Sequence, residues 1–321
     1  MMDTLEASHP LVGICVLNYH HPVETAQCIE SLLRKEPLTT RILWIENDTD
    51  ATRADLMAVL NQASFPWAFV EPDSQALPPS GTVGVLRNGQ NLGYAGGNNP
   101  GLRLFHRLGV PYAWVLNNDT ELLEGCSSDL VEAAASRPEV GAWGTFIRTT
   151  QDQDQYFGGI LSSKDFSITF CRSVSELDRN PLAFVSGCSI FFRLETAEAI
   201  GYIPEDYFLY YEDPSFTMEL RRRGLLVSGL ESVVVSHVES LSTGRRSLQM
   251  EFYNKRNRWF FIQRYFPERL KANRWLLFYR LQKYLVRGKW TRLRLEALAY
   301  TDFGKGRMGP TTRKLSRETK S

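Results

Sequence analysis

Three groups of side chains in this sequence are of types that could do chemistry. The first is Asn117-Asn118-Asp119, directly after the apolar run Ala113-Trp114-Val115-Leu116. A strand that ends in clustered oxygen ligands holds them at a rigid edge, where a hard divalent cation and a diphosphate can meet. The same residue types are ordinary turn formers, so the run alone also reads as a plain strand-end turn. The second is Asn91-Leu92-Gly93-Tyr94-Ala95-Gly96-Gly97-Asn98-Asn99. Its glycines permit close backbone approach and a helix behind it favours an anion, although a glycine-rich loop with no ligand fits equally well. It is not G-x-G-x-x-G, and no acidic ribose reader follows in the usual place, which disfavours a nicotinamide-dependent oxidoreductase. The third is Tyr210-Tyr211-Glu212-Asp213 at an expected helix start. Adjacent carboxylates there act as capping and dipole residues or, beside a diphosphate and an aromatic wall, as a general base. His237 ends a short apolar run; it reads as structural alone and as a metal-site residue on the edge that carries Asp119.

Those groups need a scaffold that gathers them. Residues 11–17 and 41–45 are near-continuous apolar runs, each ending in a polar cluster, and residues 113–116 repeat the pattern. Such runs read as buried parallel strands. Helical spacing at 24–33, 52–62 and 101–108 lies between them, with short strands near 68–70 and 83–86. Strands alternating with helices predict an α/β fold with a mostly parallel sheet, whose ligands bind outside the carboxyl ends of the strands. The polar clusters after Leu17, Ile45 and Leu116 would converge there. Residues 149–180 read as a small irregular excursion, and 182–192 as an apolar segment interrupted at Ser186-Gly187-Cys188. A helix is expected over 214–223, with Pro214 in its first turn and Gly224 as its stop. A last strand falls at 233–236, and residues from 248 to about 298 read as helical.

The net charge of +1 hides an asymmetry. Residues 245–321 carry 21 Lys and Arg against 5 Asp and Glu, so the first 244 residues hold 16 against 31. Ten aromatics between Trp259 and Trp290 interleave with the tail cations, which suits an anionic membrane surface or, equally, a helical appendage packed on the rest of the chain. No nucleic-acid module is visible, so nucleic acid is not an expected partner. Five scattered cysteines without C-x-x-C exclude a disulfide framework or zinc ribbon and fit a reducing compartment. Residues 1–10 lack an apolar signal core and no 18-residue apolar run occurs, so a cytoplasmic protein, at most peripheral on the inner face of a membrane, is expected.

Taken in order, Asn18-Tyr19, Glu46-Asn47, Asn91-x-Gly93-Tyr94-Ala95-Gly96-Gly97-Asn98-Asn99, Leu116-Asn117-Asn118-Asp119-Thr120-Glu121-Leu122, Phe184-Val185-Ser186-Gly187-Cys188, Tyr207 through Asp213, His237 and Tyr253-x-x-Arg256-Asn257 resemble the rhamnosyltransferase-like branch of the family 2 inverting glycosyltransferases. The resemblance covers residues 11–267. It implies a GT-A fold that uses a nucleotide-sugar donor and Mg²⁺ or Mn²⁺. Asn18, Tyr19, Glu46 and Asn47 would contact base and ribose; Asn91, Gly93, Gly96, Gly97 and Asn98 would line the donor pocket, with Asn117 and Asn118 beside the metal. Asp119 would hold the metal with His237, Asp213 would be the catalytic base and Glu212 would assist the acceptor. Glu46 stands where the family usually has Asp, Ser215 where another acid often follows, and Asn117 where the metal motif often begins with Asp. The implied organisation is a catalytic domain over 1–244 (donor part about 11–122, acceptor part about 123–244), a basic helical extension over 245–303 and a disordered tail over 304–321. The implied activity is transfer of a sugar, first of all rhamnose from a dTDP donor, to a glycan or lipid-linked acceptor in surface polysaccharide synthesis. A UDP-sugar donor or an inactive nucleotide-sugar-binding scaffold are the alternatives, and an oligomer remains open.

Overall fold

The alternating apolar runs build a ten-stranded sheet. The computed structural model describes residues 11–149, 154–238, 247–311 and 315. Expectations for residues 1–10 and for most of the chain beyond 311 lie outside the described residues. In chain order the elements are β1 (Val12–Asn18), α1 (Pro22–Leu33), β2 (Thr40–Glu46), α2 (Arg53–Leu60), β3 (Trp67–Val70), β4 (Val83–Arg87), α3 (Gly93–Arg107), β5 (Tyr112–Asn117), β6 (Thr120–Glu124), α4 (Ser127–Ser136), β7 (Val140–Thr149) and β8 (Gln155–Tyr156). They continue with β9 (Gly158–Leu161), β10 (Ile168–Cys171), α5 (Val174–Arg179), β11 (Ala183–Val185), β12 (Ser189–Arg193), α6 (Leu194–Ala199), α7 (Glu212–Arg222) and β13 (Leu226–His237). Three helices follow, α8 (Leu248–Tyr265), α9 (Leu270–Val286) and α10 (Trp290–Gly304).

The sheet order is β3-β4-β2-β1-β5-β12-β7-β13-β6, with β8 beside β7. The half from β3 to β5 is wholly parallel, as continuous apolar strands predict. Beyond it β12 runs antiparallel between β5 and β7, and β13 pairs parallel with β7 but antiparallel with β6. Successive side chains of β1 enter opposite layers: Ile14 and Val16 pack with Ile29, Trp44 and Trp114, whereas Cys15 packs with Ile45, Leu102 and Phe105. Burying each large side chain contributes about 1.5–3 kcal/mol, which makes a one-residue slip of β1 prohibitive.

Two elements differ from expectation. Helix α3 begins at Gly93, not after Pro100, so most of the glycine-rich run is helix and not loop. Pro100 reads as a helix breaker in sequence. The helix nevertheless runs through it because its small residues let it lie on the sheet: a Cβ at Gly97 would come within 2.6 Å of Leu17. Strand β13 is also longer than the expected 233–236, because polar Ser228, Glu231 and Ser232 mask its pattern around an irregularity in its pairing with β7.

The basic C-terminal helices pack into the core of the rest of the chain. Trp259, Phe260, Phe261 and Ile262 of α8 pack with Phe166, Phe184, Tyr207 and Tyr211. Glu296 of α10, buried to 1% exposure, draws in Lys255 at 3.0 Å, Arg280 at 3.3 Å and Arg258 at 3.9 Å, tying the three helices together. Residues 305–311, expected to be disordered, fold back on this unit: Gly309 O accepts from Arg256 at 2.8 Å and the Thr311 N–H donates to the Tyr253 hydroxyl at 2.9 Å.

Candidate active site

The carboxyl ends of β1, β2 and β5 border a cleft of about 350 Å³. One wall grows out of the β5–β6 turn. Antiparallel pairing sets His237 of β13 opposite Thr120 of β6, and the Val238 N–H donates to Asp119 O at 3.0 Å. This register brings His237 Nε2 to 3.3 Å from Asp119 Oδ1, while His237 Nδ1 faces the Tyr156 hydroxyl at 3.3 Å. Asp119 Oδ1 is buried and faces His237 Nε2 in a contact short of a well-aligned hydrogen bond, which leaves room for a cation to compete for it. Burial opposes a charged imidazole, yet Cys188 and Asp119 beside it carry the His237 pKa well above the ordinary histidine value. Among the described residues no three His, Cys, Asp or Glu side chains form a metal cage. Asp119 therefore fits a hard cation that completes its shell with ligand oxygens, as Mg²⁺ does with substrate phosphates, and His237 could join the shell only on giving up its ring proton.

A strained loop lines the same cleft. Before α7, Phe208, Tyr210 and Tyr211 have φ values of +67°, +67° and +77°. Non-glycine residues in such conformations cost about 1–3 kcal/mol each and persist only when the surroundings over-determine them. Asn257 of α8 supplies that constraint. Its buried amide donates to the carbonyls of Tyr207 (3.0 Å), Leu209 (2.8 Å) and Tyr210 (2.9 Å), and its Oδ1 accepts from Arg256 Nε at 2.9 Å. From the other side the Tyr94 N–H donates to Phe208 O at 2.9 Å. Only glycine fits at position 93, where φ is +76° and a Cβ would stand 2.1 Å from that carbonyl.

The loop delivers Glu212 and Asp213 to the cleft at the start of α7. Asp213 Oδ2 accepts from the Gly187 N–H at 2.9 Å, and the Tyr94 hydroxyl donates to Gly187 O. Burial drives both carboxyl pKa values up; Glu212 is raised further by Asp213, while the Gly187 N–H pulls Asp213 back. The pair therefore holds its protons more tightly than free carboxyls do, and the Gly187 N–H favours negative charge on Asp213. Gly187 and Cys188 join the two groups, since Cys188 lies beside His237.

The sequence profile described as glycosyl transferase family 2 matches residues 12–201. The chain belongs to that family. It is 26% identical over 188 residues to the N-acetylglucosaminyl-diphospho-decaprenol L-rhamnosyltransferase of Mycobacterium tuberculosis, a match over 51% of this chain and 61% of that protein. The chain thus spans less than two thirds of the length of this relative. Its fold is similar to that of GalNAc-T7 with UDP, GalNAc and Mn²⁺ (TM-score 0.55, 12% identity, 78% of this chain and 47% of that one). The mannosyltransferase PcManGT of Pyrobaculum calidifontis, in complex with GDP-Man and Mn²⁺, gives a TM-score of 0.52 at 15% identity over 92% of this chain and 76% of that one. The GT-A fold expected from the sequence, a mostly parallel mixed sheet flanked by helices, is present.

Of the residues singled out in sequence, this family 2 chain brings Tyr19, Asn47, Asn91, Gly93, Asn117, Asn118, Asp119, Glu212, Asp213 and His237 to the one cleft. Several are also tied into the scaffold. Asn118 donates to Thr25 Oγ1 at 3.0 Å, fastening β5 to α1. Asn47 donates to Gly93 O at 3.1 Å and accepts from the Leu92 N–H at 3.1 Å, which sets the start of α3. Asn18 and Glu46 border a separate cavity of about 50 Å³. Glu46 Oε2 accepts from Asn18 (2.8 Å) and Trp44 (3.2 Å), and burial pushes its pKa up to about 7. Gly96, Gly97 and Asn98 lie within α3 outside the cleft lining, and Asn98 donates back to Tyr94 O at 3.0 Å. Asn257 and Tyr94 stand in motifs that carry the resemblance, but their structural roles were not legible, because their partners lie 47–50 and 93 residues away.

Proposed function

We propose that this family 2 chain is an inverting glycosyltransferase that moves a sugar from a nucleotide-sugar donor to a hydroxyl of a glycan or lipid-linked acceptor. The observation that carries the reading is one cleft lined together by Asp119, His237, Glu212 and Asp213. Tyr19 and Asn47 stand at the strand ends where base and ribose would lie. Asp119 and His237 would hold Mg²⁺ or Mn²⁺, which when bound neutralises a departing diphosphate.

Asp213, ionised and oriented by the Gly187 N–H, takes the proton of the acceptor hydroxyl as its oxygen attacks the anomeric carbon. The bond from that carbon to the diphosphate oxygen breaks on the opposite face, so one displacement inverts the configuration. Glu212, kept protonated by burial and by Asp213, donates a hydrogen bond to the acceptor. Rhamnose is the leading choice of sugar, supported by the name of the mycobacterial relative, and dTDP is the carrier that the resemblance in the sequence implies. That name also makes a lipid-linked diphosphate sugar the acceptor to try first, and synthesis of a surface polysaccharide follows from the resemblance alone.

The test is transfer from dTDP-rhamnose and from UDP-sugars to such an acceptor, for wild type and Asp213→Asn. Loss of transfer with donor binding retained is expected. An Asp213→Asn protein as active as wild type would refute the base assignment.

A further inference from the structure

Among the described residues, six of the thirteen exposed large apolar side chains fall between positions 275 and 290. Trp275 (74% exposed), Phe278 and Tyr279 stand one turn apart on α9, followed by Leu285, Val286 (86% exposed) and Trp290 around the turn into α10. The rest of the aromatic tail does not share this exposure, because Trp259, Phe260 and Phe261 are consumed in the core. The opposite face of α9 is anchored through Asn273 and Leu277. The outward face is thus a choice of the fold and not an unfolded remnant.

Its electrostatics are one-sided. From Arg269 to Leu295 the sequence holds nine Lys and Arg and no Asp or Glu. Arg280 turns inward to Glu296 and Asp165, while Lys271, Arg274, Lys283, Arg287, Lys289 and Arg292 are exposed around the apolar patch. A second copy of this face would meet like charge, so self-association is the poorer occupant. Aromatic and aliphatic side chains ringed by cations match the boundary of an anionic bilayer, where apolar groups enter the headgroup region and cations pair with lipid phosphate.

The position suits a transferase. Lys255 of α8 stacks on Tyr284 of α9 at 5.9 Å, and Gln249, about 9 Å earlier along α8, lines the cleft. The C-terminal part of α9 thus packs beside the N-terminal half of α8, whose Gln249 lines the cleft. No described helix is long and apolar enough to cross a membrane, so contact by this face would be peripheral.

We propose that the outer face of α9 and the α9–α10 turn form an anionic-lipid docking surface that sets the cleft at the bilayer boundary. Docking by this face stands apart from the catalytic reading, because it is measured with neither donor nor acceptor present. The experiment is co-sedimentation of the full chain with vesicles of phosphatidylcholine alone and of phosphatidylcholine with phosphatidylglycerol at roughly three to one. Two variants accompany it, Trp275→Ser/Phe278→Ser/Tyr279→Ser and Lys283→Gln/Arg287→Gln/Lys289→Gln/Arg292→Gln. Their thermal midpoints verify folding, and all seven side chains are exposed.

The expected result is binding to the anionic vesicles only, weakened roughly fivefold for each cation removed and lost in the aromatic variant. Equal sedimentation of wild type and both folded variants would overturn the proposal. So would absence of vesicle binding together with binding of an oligothymidylate by this face, or with a concentration-dependent dimer that the variants abolish.

Discussion

Removing the Asn257 amide should disable the cleft although Asn257 itself does not line it. In Asn257→Ala the carbonyls of Leu209 and Tyr210 lose this donor, while Tyr207 O keeps Arg256 at 3.2 Å. Leaving two part-buried carbonyls without the amide costs about 2–6 kcal/mol, using 1–3 kcal/mol for each. For a chain of this size that is a fall of roughly 3–9 °C in Tm. The strain at Phe208, Tyr210 and Tyr211 is then free to relax, and Glu212 and Asp213 move with it. A displacement of about 1 Å in a catalytic group costs on the order of a hundredfold in rate, so kcat should fall far more than KM rises. Thermal unfolding and steady-state transfer by wild type, Asn257→Ala and Asn257→Gln read both effects. The glutamine variant keeps the amide one methylene too far out and guards against simple loss of fold. An Asn257→Ala protein with wild-type kcat, whatever its Tm, would refute the idea that this amide positions the carboxylates.

Other groups give independent expectations. Glu46 has a folded pKa of about 7 against about 4.5 for a free glutamate, so its contribution is fully present below pH 4.5 and is lost as pH rises toward 7. Glu46→Gln should therefore match wild type at pH 4 and exceed it at pH 8 by on the order of 1–3 kcal/mol in urea unfolding; a variant less stable at pH 8 would contradict that sign. Glu296→Ala leaves the inward-turned Lys255, Arg258 and Arg280 without their shared carboxylate and should cost about 3–5 kcal/mol; unchanged unfolding would mean that this ion cluster contributes nothing net. Because burial raises Asp213, the acid limb of kcat against pH should lie above the ordinary aspartate range, and a limb near pH 4 would contradict its place in the pair.

The parallel half of the sheet was legible because β1, β2 and β5 are continuous apolar runs, each followed by polar residues at its carboxyl end. The same logic placed Asp119 and His237 on one edge before any pairing was known. What local pattern could not show was the antiparallel insertion of β12, fixed by contacts such as the 2.9 Å hydrogen bond from Trp114 to Ser189 across 75 residues. Helix α3 was hidden because glycine and Asn98-Asn99-Pro100 are poor helix formers, and tertiary packing overrides propensity there. Glu46, a base or ribose contact by the family resemblance, accepts here from Asn18 and Trp44, partners that no local pattern shows. The C-terminal composition could not tell membrane face from packed appendage. The structure divides it, with α8 in the core and the outer side of α9 exposed.

The donor site is tested most directly by calorimetric titration of dTDP and UDP, each with Mn²⁺ and with EDTA, into wild type and Asp119→Ala. Saturable binding of one nucleotide to wild type with Mn²⁺, lost both in EDTA and in Asp119→Ala, is the predicted result. Binding that is indifferent to metal and to Asp119, or no binding at all, would contradict a metal-assisted nucleotide-sugar site in this cleft.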